Sequence, residues 1–64
     1  MKVTAINKQG EIIANIESNE SRNIATNEAI DLALKVCGFF AIYVDGKLDC
    51  YSESSDRFAF PKTI

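Results

Sequence analysis

Asp45, Asp49 and Glu53 recur every four residues in a chain of 64. On a helix that spacing would gather three carboxylates on one face, enough for acid–base work or for holding a cation. The surrounding residues argue against a helix. Phe39-Phe40-Ala41-Ile42-Tyr43-Val44 and Lys47-Leu48-Asp49-Cys50-Tyr51 read as strands, and a strand spreads such carboxylates along its length instead of converging them.

Other catalytic chemistry is equally short of parts. The chain has no histidine, which removes the usual general base, the usual metal ligand and any Ser–His or Cys–His nucleophile pair. Cys37 and Cys50 have neither CxxC spacing nor histidine partners for a zinc site. Cys37 falls near a helix C-terminus, where the dipole raises a thiol's pKa. Both cysteines are expected as reduced core thiols. Gly10, Gly38 and Gly46 each serve a turn or a cap, so no phosphate loop remains. The expectation is a non-enzymatic protein with no metal or cofactor.

What remains is recognition. Phe39, Tyr43 and Tyr51, with Ile13 at the margin, are the candidate partner-binding residues. Aromatic side chains bury large areas with few rotors to freeze. The partner would be another protein or a second copy of the chain in a homodimer. Exposed aromatics on an antiparallel sheet also stack single-stranded nucleic acid, but the net charge is −2 and no basic stripe supplies the affinity. Size, mild acidity and missing catalytic groups suit a modulator or inhibitor of a larger host protein, on the scale of compact phage-encoded inhibitors.

Composition places the chain among ordinary globular proteins, as one small domain over residues 1–64. It has no stretch of signal-peptide or membrane-span length, so a cytoplasmic, membrane-free protein is expected.

Five elements must position these residues. Residues 2–17 read as a hairpin with Lys8-Gln9-Gly10 as a three-residue loop, pairing Asn7 with Glu11 and Ile6 with Ile12. Strict alternation then puts Ile6, Ile12, Ala14 and Ile16 on one face, and Val3, Ala5 and Ile13 on the other. Residues 18–25 read as loop. A helix follows from Asn27 to Cys37, capped by Thr26 or Asn27 and ended by Gly38. Its apolar arc includes Ala29 and Ala33 in the middle and Ile30, Leu32, Leu34 and Val36 on the flanks.

The second hairpin turns at Asp45-Gly46. Two registers fit. A two-residue turn pairs Val44 with Lys47; a three-residue turn pairs Tyr43 with Lys47. The latter is preferred, because it groups Phe40, Ile42, Leu48 and Cys50 apart from Tyr43 and Tyr51. The tail either adds a short fifth strand around Phe58-Ala59-Phe60 or folds back over the sheet, with Pro61 ending any pairing. The predicted fold is α+β: an antiparallel sheet in the order 2-1-3-4 with one helix on one face.

Overall fold

The computed structural model describes residues 1–52 and 60–64. Strands β1 (Lys2–Asn7), β2 (Ile12–Glu17), β3 (Phe40–Val44) and β4 (Lys47–Tyr51) surround helix α1 (Arg22–Leu34) in sequence. They form one antiparallel sheet in the order β2-β1-β3-β4. The α+β fold and its strand order are those the sequence predicts.

The first turn follows from two residues, Gly10 and Asn7. Gly10 takes a φ of 84°, a conformation glycine adopts without a Cβ penalty. Asn7 Oδ1 accepts the backbone N–H groups of Gln9 (3.0 Å) and Glu11 (2.9 Å), which closes the loop from within. Ile6 pairs with Ile12 as expected, but the register then shifts: Ala5 pairs with Ala14 and Val3 with Ile16. Ile13 is the extra residue of a bulge. The bulge transfers Ala14 and Ile16 to the face of Val3 and Ala5, correcting the strict alternation predicted for this strand.

The second turn is the two-residue one, against the preferred reading. Asp45 and Gly46 both have positive φ, 51° and 83°, as the tight hairpin turn requires. Asp45 is held there by β1: its N–H donates to the Lys2 carbonyl at 2.7 Å, and its Oδ1 accepts from the Lys2 N–H at 2.8 Å. Val44 pairs with Lys47 and Tyr43 with Leu48, then a second bulge leaves Asp49 over and Ile42 meets Cys50. Phe40, Ile42 and Cys50 therefore stay together under the helix, while Leu48 crosses to the side of Tyr43.

The helix begins five residues before the predicted start. Ser21 caps it, accepting the Ile24 N–H at 3.4 Å, so residues 22–25 are helix and not loop. Thr26, a predicted cap, lies inside and turns its hydroxyl back to the carbonyls of Arg22 (2.8 Å) and Asn23 (3.1 Å). The C-cap is Lys35, and Gly38 is not among the positive-φ glycines. Ala25, Ala29 and Ala33 form a fully buried stripe at four-residue spacing against Val3, Ala5, Phe40 and Ile42. With only methyl groups between them, the helix axis lies close to the sheet. Leu32 and Leu34 are left exposed on its flanks, and Val36 just beyond its C-cap.

Candidate functional site

The opposite face of the sheet carries the chain's own tail. Phe60 packs on a second cluster made of Ile6, Ala41, Tyr43 and Leu48. The Tyr43 hydroxyl donates to the Pro61 carbonyl at 2.5 Å. Leu48 N–H donates to the Lys62 carbonyl and Ile64 N–H to the Gly46 carbonyl, each at 2.8 Å. Thr63 thereby faces Lys47 across a single antiparallel bridge. Pairing therefore continues beyond Pro61: Lys62 supplies a carbonyl and Ile64 the N–H, the one group that a proline lacks. Among the described residues it amounts to one bridge and not a strand. Of the predicted tail strand, Phe58 and Ala59 lie outside the described residues.

The four predicted partner-binding residues do not form one patch. Tyr43 is fully buried beneath the tail, and burial pushes its phenol above the ordinary value. A base or a partner side chain cannot stack on it while the tail is seated. Ile13 stays with Val3 and Ala5, but that face lies under the helix, so it packs against the helix-side core. Phe39 is half-buried one residue before β3, with Lys8 Nζ 5.7 Å from its ring centroid. Tyr51 is exposed at the end of β4. Asp49 meets Arg22 of the helix in an ion pair.

Tyr51 belongs to a row that alternation alone could not reveal. Ile12 pairs with Ile6, Ile6 with Ala41, and Ala41 with Tyr51, so these residues cross all four strands in register. Paired residues project to the same face. The two inner members are buried; the outer two, Ile12 and Tyr51, are 62% and 52% exposed. A groove of about 370 Å³ lies beside Ile6 of this row, between the turn residues Asn7–Gly10 and the tail residues Phe60, Pro61 and Ile64. A neighbouring depression of about 300 Å³, lined by Lys2, Thr4, Ile12, Gly46 and Ile64, continues along the other side of the tail. Both Ile12 and Ile64 stand proud at these margins. The signal for Ile12 was the Ile12-Ile13 doublet, an apolar pair that alternation sends to opposite faces of the sheet.

The cysteines are free and half-buried. Cys37 Sγ donates to the Phe39 carbonyl at 3.1 Å. Burial raises the Cys50 thiol above its ordinary value, and the adjacent Asp49 carboxylate raises it further, so Cys50 is held as the unreactive thiol. Among the described residues no three His, Cys, Asp or Glu side chains gather as a metal site, and no helix is long and apolar enough to cross a membrane.

No family model matches this chain, and neither the curated proteins nor the solved structures contain a match to it.

Proposed function

We propose that the chain is a small non-enzymatic protein-binding module, acting as a modulator of a larger protein through the tail-side face of its sheet. The observation that carries this reading is the row Ile12–Ile6–Ala41–Tyr51, buried in the middle and exposed at both ends. A large aliphatic and a large aromatic side chain stand exposed at opposite ends of this row, and Ile12 also lines the groove beside the tail. Leaving both in water forgoes roughly 1.5–3 kcal/mol of burial for a residue such as Ile12. A partner that covers them recovers it. Tyr51 suits such a margin because its ring can be buried while its hydroxyl stays wet. The shallow groove receives side chains from a second protein; it is too open to enclose a small molecule.

The test uses the intact chain as bait in a cell lysate, followed by titration of the purified captured protein. Tyr51→Ala and Ile12→Ser should each weaken that binding about tenfold, the equivalent of roughly 1.4 kcal/mol, while leaving the melting temperature within a few degrees of the original. Capture that is indifferent to both substitutions, or no specific capture, contradicts the reading.

A further inference from the structure

The tail touches the rest of the protein through the β3–β4 hairpin and the cluster around Tyr43. Its polar anchors are Tyr43, Gly46 and Leu48, and its apolar anchor is Phe60 in the second cluster. The fit is close. A Cβ added to Gly46 would sit 3.1 Å from the Ile64 carbonyl oxygen, so the turn is shaped to this segment. The segment itself is thinly covered, with residues 61–64 exposed. Segments held by few buried contacts and solvent-facing hydrogen bonds open most readily.

None of these contacts depends on which chain supplies the tail. The one sequence shown to fit the β4 edge and the Tyr43 cluster is Phe60-Pro61-Lys62-Thr63-Ile64, and every copy of the protein carries it. We infer that residues 60–64 exchange between copies: the tail of one chain seats on the β4 edge and over Tyr43 of a second, which returns its own, closing a two-fold dimer. Such reciprocal exchange adds no new contact and terminates by symmetry. What separates the two states is concentration. A tail seated on its own sheet competes at a strength independent of protein concentration, whereas exchange between two copies gains as that concentration rises. The inference rests on the reading of the tail side as a binding surface. Its readout is a covalent link between copies, and that reading is tested by loss of a different partner, so either can fail alone.

The bridge between Lys47 and Thr63 supplies the probe. The hydrogen bonds flank this pair and do not join it, which is the closer type of antiparallel pair, with Cα atoms about 4.5 Å apart and within disulfide reach. The full-length double variant Lys47→Cys/Thr63→Cys, oxidised at about micromolar concentration, should form an internal disulfide between positions 47 and 63, mapped by mass spectrometry against the native thiols. That result establishes the folded tail. Full-length Lys47→Cys and Thr63→Cys chains are then mixed, refolded and oxidised together at about millimolar concentration. A 47–63 disulfide between chains should exceed, by tenfold or more, the link formed when Glu28→Cys, on the exposed side of the helix, replaces Thr63→Cys. Equal yields overturn the inference. So does a double variant that loses its internal link at high concentration without forming one between chains, an outcome that would leave the β4 edge to a different protein.

Discussion

The Tyr43 hydroxyl reaches across 18 residues of sequence to donate to the Pro61 carbonyl. That bond joins the central strand to the C-terminal tail and explains why β3 is apolar on both faces. Phe40 and Ile42 meet the helix; Ala41 and Tyr43 meet the tail. Tyr43 is thus a core residue. Tyr43→Phe should cost about 1 kcal/mol, the net worth of one hydrogen bond whose acceptor stays near water. Tyr43→Ala should cost about 3–5 kcal/mol, as large aromatic truncations in cores do. Urea denaturation followed by circular dichroism measures both, and a Tyr43→Ala change below about 1 kcal/mol would remove Tyr43 from the core.

The helix separates buried from exposed positions sharply. Ile42→Ala should lose about 2–5 kcal/mol. Leu34→Ala should change stability by less than about 0.5 kcal/mol, because Leu34 is 58% exposed, although its place in the apolar arc of the sequence suggests a core residue. The same denaturation experiment compares the two, and equal losses would place Leu34 under the helix after all.

Close approach of the helix depends on its alanines. Ala29→Leu should destabilise by about 1–3 kcal/mol despite a better apolar side chain, because the stripe against Val3 and Ala5 has no room for it. Thermal melts of Ala29→Leu and of Glu28→Leu, one position away on the exposed side, should differ in this sense. A stabilised Ala29→Leu variant would mean that the helix stands off the sheet.

Much of this arrangement is legible in the sequence, and the misses have physical causes. Gly10 marks its turn because no other residue adopts that φ so cheaply. Asp-Gly marks the second turn, but its length is set by Asp45 bonding to Lys2, a contact 43 residues away that no local pattern records. The helix start was readable in part: Ala25 extends the spacing of Ala29 and Ala33 by one turn, which admits Ser21 as the cap. The bulges at Ile13 and Asp49 were not, since one extra residue exchanges faces without altering composition. Tyr43 and Tyr51 do share the tail-side face, but Ile13 lies with Val3 and Ala5 under the helix, and Tyr43 is covered because the residues after Pro61 resume the pairing that a proline signals to end.

Two groups on this sheet lose stability in alkali. Burial raises the Cys50 thiol above 9.0, helped by Asp49, and burial raises the Tyr43 phenol above 10.0. Each neutral form is favoured in the folded state, so the unfolded chain ionises first. Their contribution is whole below pH 9 and declines as pH rises through each group's ordinary value towards its raised one. The melting temperature should therefore fall more steeply above pH 9 for the native chain than for Tyr43→Phe/Cys50→Ala. Parallel profiles between pH 8 and 11 would contradict the burial of both groups.

The chain contains two tyrosines, with opposite fates: Tyr43 sealed beneath the tail, Tyr51 exposed at the end of β4. Nitration of the folded protein with tetranitromethane, mapped by mass spectrometry, reads both at once. Tyr51 should be modified readily while Tyr43 stays protected until the protein is unfolded. Equal modification of the two in the native state would mean that the tail does not cover the sheet, and that the face of β3 opposite the helix is open.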